Sequence, residues 1–298
     1  MNKSDLSQII KIYLKELGFT HVGITSAIST SDAKQNLDKW INNKFNGTME
    51  WMQKRKVERG DIFEYYPDAK SIISVGINYF SGRAKSDVKI SNYAWGDDYH
   101  YVLKNKLHNA LKKIKELNPK ISGRICVDTS PVMEKTWAQK AGIGWIGKHT
   151  NLITTDYGSW IFLGEIILNT ELEFDKEFNE DLCGSCTACL DACPVEAFPS
   201  AYQIDASKCI SYLTIEYRDD FSPQVDNHNW VYGCDICQEV CPWNKKFEKE
   251  TNEISFKERQ DVKEKNFNLW LNMTKEDFNR IFKKSAVKRT KFSGFKRN

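Results

Sequence analysis

The sequence predicts an α+β protein, with an N-terminal α/β layer over residues 1–175, a cysteine-rich module over 176–247 and a helical, basic C-terminal segment over 248–298. Strand-like and helix-like stretches alternate through the first part, which argues for helices packed on a central sheet. Eight of the nine cysteines then fall between residues 183 and 241, marking a separate unit. Beyond them a helical pattern returns with an excess of Lys and Arg.

In chain order, Leu6, Ile9, Ile10, Tyr13, Leu14 and Leu17 recur at helical spacing, and Gly18 offers a stop. Val22–Ile24 reads as a short strand and 32–43 as a helix with Leu37, Trp40 and Ile41 on one face. Residues 47–67, polar and dotted with aromatics, read mainly as loop. Ser71–Tyr79 is apolar enough for a central strand. Tyr99–Leu117 reads as a long helix placing Leu103, Leu107, Leu111 and Ile114 toward the core. Arg124–Val127 is a short strand, Val132–Ala141 a helix and Ser159–Leu168 another apolar strand. Near the end, Thr274 is placed as an N-cap, with Met273 and Phe278 spaced as a hydrophobic staple over a helix reaching about Lys284.

A chain of 298 residues can bury a large core. Its net charge of +3 names no partner class for the molecule as a whole. No apolar run approaches the roughly 20 residues that span a bilayer, so a membrane role is not expected. The first residues, Met1-Asn-Lys-Ser-Asp5, lead directly into an amphipathic pattern without a signal-peptide core. A cytoplasmic protein is expected, where thiols stay reduced and many cysteines point to metal ligation.

The first cysteine run, Cys183-Gly-Ser-Cys186-Thr-Ala-Cys189-Leu-Asp-Ala-Cys193-Pro194, has the bacterial ferredoxin spacing, in which the fourth cysteine serves the other cluster. The second run has the same form with its first member displaced upstream: Cys209, then Cys234-Asp-Ile-Cys237-Gln-Glu-Val-Cys241-Pro242. Exchanging the last cysteine of each run assigns Cys183, Cys186, Cys189 and Cys241 to one [4Fe-4S] cluster and Cys193, Cys209, Cys234 and Cys237 to the other. A structural zinc site favours two separated pairs rather than a triple run, and a disulfide framework suits small secreted domains. Neither accounts for both Cys-Pro endings.

Outside the cysteines, Asp128 stands at a strand end in Cys126-Val-Asp-Thr-Ser-Pro131. There it can project into a crevice at the carboxyl ends of strands or simply form a turn or cap. Cys126 reads as a core residue, and Arg59 as a surface charge. The run Gly142-Ile-Gly-Trp-Ile-Gly-Lys-His-Thr-Asn151 fits neither a P-loop nor a dinucleotide fingerprint. It reads as a loop brought close to a bulky ligand or another element, and His149 as a structural histidine. The tail carries Lys283, Lys284, Lys288, Arg289, Lys291, Lys296 and Arg297 with Phe292 and Phe295 interleaved. Such a stripe either neutralises phosphates or is a solvated end.

Several long stretches resemble the epoxyqueuosine reductase family. They are Ser91-Asn-Tyr-Ala-Trp-Gly-Asp-Asp-Tyr-His100, Val127-Asp-Thr-Ser-Pro-Val-Met-Glu134, Ala141-Gly-Ile-Gly-Trp-Ile-Gly-Lys-His-Thr-Asn-Leu152, Gly158-Ser-Trp-Ile-Phe-Leu-Gly164, Cys209-Ile-Ser-Tyr-Leu-Thr-Ile-Glu216 and Tyr232-Gly-Cys-Asp-Ile-Cys-Gln-Glu-Val-Cys-Pro-Trp-Asn-Lys245. The resemblance implies a cobalamin cofactor lying between the N-terminal layer and a ferredoxin-like two-cluster module. It implies reduction of epoxyqueuosine to queuosine at the wobble position of a tRNA anticodon stem-loop, fed by a low-potential electron donor. By residue matching, Asp128 inherits the role of proton donor, with a pKa expected to be raised by burial. In the same way Arg59, Ser91, Asp128, Leu152, Leu163, Ser211 and Asp235 become candidates for the corrin site.

Two departures accompany the resemblance. Asp226-Asn-His228 lacks the glycine of an Asp-x-His-x-x-Gly motif, so no protein histidine is expected on cobalt. The sequence also stops at Gly294–Asn298, where longer members continue into helical repeats, and is expected to be a short form leaning on its basic tail for RNA. Competing readings are a cobalamin-dependent reductive dehalogenase, a plain two-cluster electron carrier and an RNA-binding protein with structural clusters.

Overall fold

The computed structural model describes residues 2–83, 88–263 and 270–298. Its strands are β1 (His21–Ser26), β2 (Ser71–Asn78), β3 (Lys89–Ile90), β4 (Gly123–Cys126), β5 (Trp145–Ile146), β6 (Leu152–Ile153), β7 (Ile161–Leu168) and β8 (Trp230–Tyr232). The two most apolar strands become the middle of the main sheet, which runs β1-β2-β7-β4. β2 is buried at every position and β7 at all but Leu163. Every pairing in this sheet is antiparallel. The architecture is α+β, as expected, but the crevice argument made for Asp128 from parallel sheets does not hold. Asp128 follows an edge strand, and the helices lie against the sheet without forming parallel crossovers.

The alternation of side chains along a strand divides this sheet into two packed faces. On one, Ile73, Val75, Ile77, Ile166 and Leu168 meet Leu6, Ile10 and Leu14 of α1 (Lys3–Glu16) and Leu103, Leu107, Leu111 and Ile114 of α6 (Tyr99–Leu117). On the other, Ile72, Ile167 and Cys126 meet Ile62, Val132 and Trp137. Trp137 belongs to α7 (Glu134–Lys140), whose end presses on β1 so closely that a Cβ on Gly23 would lie 2.0 Å from the Ala141 carbonyl oxygen. Gly18, at φ +94°, terminates α1.

Helix α2 (Ser31–Asn42) falls where expected. The stretch read as loop instead holds three short helices, α3 (Glu50–Lys54), α4 (Lys56–Gly60) and α5 (Ile62–Tyr65). Each is too short to show a periodicity. They are held by tertiary packing, Ile62 going under the sheet while Asp61 caps α5 by accepting from Phe63 N at 2.9 Å.

The cysteine-rich segment carries α8 (Ala188–Asp191), α9 (Ile210–Ile215), α10 (Ile236–Glu239) and α11 (Pro242–Phe247). It is tied to the first part by β3, which runs parallel to β8. Over that junction the C-terminal segment builds a second core, Phe278, Ile281, Phe282, Val287 and Phe295 against Ile90, Trp95 and Tyr232. Thr274 caps the helix Lys275–Ile281 in a reciprocal capping box with Asp277. That helix stops earlier than expected, and Lys284 takes φ +58° in the turn that follows. The final helix, Lys291–Arg297, is no solvated arm: Arg297 donates to the carbonyls of Leu213, Tyr217 and Asp219.

Candidate active site

Asp128 sits in a three-residue turn at the end of β4, with φ +53° and the turn closed by Thr129 N donating to Val127 O. Asp is among the few residue types that visit this left-handed region, and strain of this kind gathers at functional sites. The turn is held from both sides. Glu134, in the first turn of α7, accepts from Asp128 N. Across the site, Asp128 Oδ2 lies 2.8 Å from His100 Nε2, and His100 Nδ1 lies 2.7 Å from Asp98 Oδ1.

The same Asp98 caps α6 by accepting from His100 N at 3.0 Å, so one carboxylate both starts the helix and aims the imidazole. Tyr99 stacks on the His100 ring at 4.2 Å and on Phe162 at 4.3 Å.

These contacts decide where the protons lie. Burial alone would raise Asp128, but the hydrogen bond and charge of His100, joined by Tyr99 and Arg289, hold it below the usual carboxylate range. The expected upward shift of Asp128 is therefore corrected. Burial alone would lower His100, yet Asp128 and Asp98 push it up to about 9. Burial, and then the Asp128 charge, push Glu134 up to about 8. Below this group Glu165 is fully buried with both carboxyl oxygens unpartnered, and burial followed by Glu134 holds it well above the carboxylate range. In register Glu165 lies between Ser74 and Cys126.

The other sequence candidates fall into three places. Arg59, on α4, lies close enough to Glu134 and Asp128 for their charges to act on it, and its buried Nε has no partner. Leu152 on β6 and Leu163 on β7 share one apolar cluster with Ala138, Ile143 and Ile161. Ser91 and Asp235 are bonded to each other, Ser91 Oγ donating to Asp235 Oδ1 at 2.6 Å, while Asn92 N donates to the second oxygen at 2.6 Å. The pair braces the cysteine segment against the turn after β3. Ser211 lies on α9, and no hydrogen bond among the described residues joins its side chain to the other candidates.

Sequence reading passed over His100, Glu134 and Glu165. The first two lie inside stretches quoted for the family resemblance. The third carried a signal of its own, a lone acid in the otherwise apolar strand Ile161–Leu168.

The cysteines act on one another electrostatically, mostly within the expected groups, although Cys189 also acts on Cys237. Cys189 is pushed up to about 11 by burial and then by the charges of Cys241, Cys183 and Cys186. Cys234 is raised by burial and then by Cys209, Asp235 and Cys193, and Cys237 by burial and then by Cys234 and Cys209. Among the described residues no three His, Cys, Asp or Glu side chains converge as a single metal ion would require.

An acid–imidazole–acid array on an antiparallel α+β layer, joined to a module rich in cysteine, points to an iron–sulfur oxidoreductase. Comparison with known proteins agrees. A family model described as "4Fe-4S double cluster binding domain" matches residues 182–244, and one described as "Epoxyqueuosine reductase QueG, DUF1730" matches residues 59–129. The epoxyqueuosine reductase of Cyclobacterium marinum is 43% identical over 98% of this chain and 95% of its own length. The chain belongs to the epoxyqueuosine reductase family.

A crystal structure of an epoxyqueuosine reductase with an epoxyqueuosine-modified tRNA-Tyr stem loop superposes with a TM-score of 0.87 at 28% identity, covering 99% of this chain and 80% of that one. A catabolic reductive dehalogenase shares the fold at a TM-score of 0.51 and 15% identity, with 85% of this chain and 33% of that one covered.

Proposed function

We propose that this chain reduces epoxyqueuosine in a tRNA anticodon stem-loop to queuosine, with cobalamin and two [4Fe-4S] clusters as cofactors and Asp128 as the central residue of its proton supply. The observation that carries the reading is the Asp98–His100–Asp128 array with Glu134 behind it, set beside Arg59, whose Nη1 donates to Ser130 O while its buried Nε has no partner. Cleaving the epoxide to an alkene with loss of water consumes two electrons and two protons, so both a wire and an acid are needed.

The proton is held by the Asp128–His100 pair and sits on the imidazole side at neutral pH. Asp98 fixes the ring, Tyr99 packs it from one face, and Glu134 holds the Asp128 backbone in its turn.

The residues present fit a corrin: Arg59 offers a buried N–H with no acceptor, which a corrin amide would satisfy, and Leu152 and Leu163 supply apolar surface. Ser211 completes the set, while Ser91 and Asp235, already bonded to each other, support it as a brace. When bound, cobalamin supplies the strongly reducing metal centre that two-electron opening of an epoxide requires. Cys183, Cys186, Cys189 and Cys241 would hold one cluster and Cys193, Cys209, Cys234 and Cys237 the other, charged by a low-potential donor. The work is cytoplasmic in this reading, and no helix among the described residues is long and apolar enough to cross a membrane.

The test is anaerobic reconstitution with iron, sulfide and cobalamin, followed by assay of an epoxyqueuosine-bearing stem-loop. Conversion to queuosine is expected. Full cofactor loading without conversion would overturn the reading, and turnover of a halogenated aromatic instead would favour the dehalogenase chemistry.

A further inference from the structure

The glycine-rich segment 142–151 matches no phosphate-binding motif, and the structure gives it another task. We infer that this segment sets the reduction potential of the cluster held by Cys183, Cys186, Cys189 and Cys241, through the Trp145 indole on the Cys183 sulfur and the Lys148 ammonium in the 184–186 loop. The inference rests on the two-cluster reading above.

Trp145 lies on β5 and is 1% exposed. Its Nε1–H donates to Cys183 Sγ at 3.4 Å. The ring is held in that direction by Phe178, stacked at 5.5 Å, and by Trp243, edge-on at 4.9 Å, whose own indole donates to Leu182 O at 3.2 Å. Three residues on, Lys148 Nζ donates to Gly184 O at 2.6 Å and to Cys186 O at 2.9 Å, which puts a cation inside the ligand loop. Asp181 opposes it, accepting from Cys183 N at 3.0 Å, and Lys148 offsets that charge.

The glycines make this placement possible. A Cβ on Gly144 would lie 2.0 Å from Ile153 O, and one on Gly147 2.4 Å from Ile153 Cδ1, so β5 and β6 close on each other only without side chains there. The second quartet is served differently. Cys193 Sγ accepts from the backbone N–H of Ala197 at 3.3 Å, and among the described residues no side-chain N–H reaches a sulfur of that group.

A reduced cluster carries one more negative charge than an oxidised one. An N–H bonded to a ligand sulfur and a cation beside the loop therefore stabilise the reduced form more, and hydrogen bonds of this kind are an established lever on potential. The quartet served by Trp145 and Lys148 is accordingly the more easily reduced of the two for a given solvent exposure.

The test uses the reconstituted full-length protein and its Trp145→Phe, Lys148→Gln and Lys148→Arg variants in redox titrations followed by electron paramagnetic resonance. Trp145→Phe and Lys148→Gln are expected to move one cluster's midpoint to more negative potential and leave the other in place, with Lys148→Arg close to the parent. In deuterated buffer the reduced parent protein should show a deuteron coupling that Trp145→Phe lacks. Full iron loading with unmoved midpoints in both variants overturns the inference alone, as does an equal shift of both clusters. If Trp145→Phe loses its iron, the Lys148→Gln and Lys148→Arg pair decides. A parent chain that takes up no clusters overturns the two-cluster reading and this inference with it, and iron analysis tells the two failures apart.

Discussion

Asp128 illustrates how much a single backbone position can commit. Its left-handed turn is held through the backbone by Glu134, and its exposed carboxylate is bonded to His100. Replacing it by Asn keeps the shape and removes the acid. Asp128→Asn is expected to lower turnover by about 10²–10⁴-fold, the usual worth of a positioned acid or base, while iron stays at about eight per chain as two cubanes require. Unchanged turnover in a stem-loop assay would remove Asp128 from the proton supply.

His100 gives a prediction with a sign. Its pKa in the folded chain is raised from 6.5 to about 9, so the stability it lends is complete below about 6.5 and is lost as the pH rises through about 9. Turnover should fall through that same alkaline window. In His100→Gln the limb should move to lower pH, and a pH–rate profile identical to the parent's would contradict the assignment. Asp128 could be picked out from the strand-end pattern and from the family resemblance. His100 could not be paired with it, because a contact across 28 residues depends on how α6 lies over β4, and neither periodicity nor capping reports that.

At the scale of elements, the sequence was most informative where the constraint is local. Apolar runs marked β2 and β7, the leucine spacing marked α6, and Thr274 with the Met273–Phe278 staple spacing marked a helix start. The double-cluster module was legible for the same reason, since the spacing of its cysteines along the chain is that of ferredoxins. The one-turn helices α3 to α5 were not, because they exist through packing under the sheet. The antiparallel order of the sheet was not legible either, since its connections are long and irregular.

The hairpin β5–β6 provides the test at this scale. Gly144→Ala would drive a methyl into the Ile153 carbonyl, with its nearest approach now 2.0 Å. Overpacking of this kind costs about 1–3 kcal/mol. A denaturant titration should show that loss, and a stability equal to the parent's would mean that β5 and β6 are not pressed together.

For the whole molecule, the main consequence of the fold is that the three sequence segments share cores. β3 pairs with β8, and the C-terminal aromatic residues close over both. This consumes part of the basic tail: Arg289 is bonded to Glu216 through two nitrogens, and Arg297 is spent on backbone carbonyls. Lys283, Lys284 and Lys291 are exposed, and their ammonium groups have no hydrogen bond or ion pair among the described residues. They are the part of the stripe left to meet phosphates. The triple variant Lys283→Ala, Lys284→Ala, Lys291→Ala should bind a tRNA stem-loop more weakly, with the slope of log affinity against log salt reduced by about 2–3, near 0.7–0.9 per lost contact. An unchanged slope would place the RNA elsewhere.

The central claim, that thiol-held clusters and an acid pair on one scaffold reduce a modified nucleoside, is tested most directly by one single-turnover measurement. Protein reconstituted without oxygen, with its iron counted and its corrin absorbance recorded, is mixed with a reductant and one equivalent of epoxyqueuosine stem-loop, and the nucleosides are then separated. The account predicts about eight iron atoms per chain, bound corrin and queuosine as the product. A protein that holds zinc, binds no corrin and returns the epoxide unchanged would contradict it.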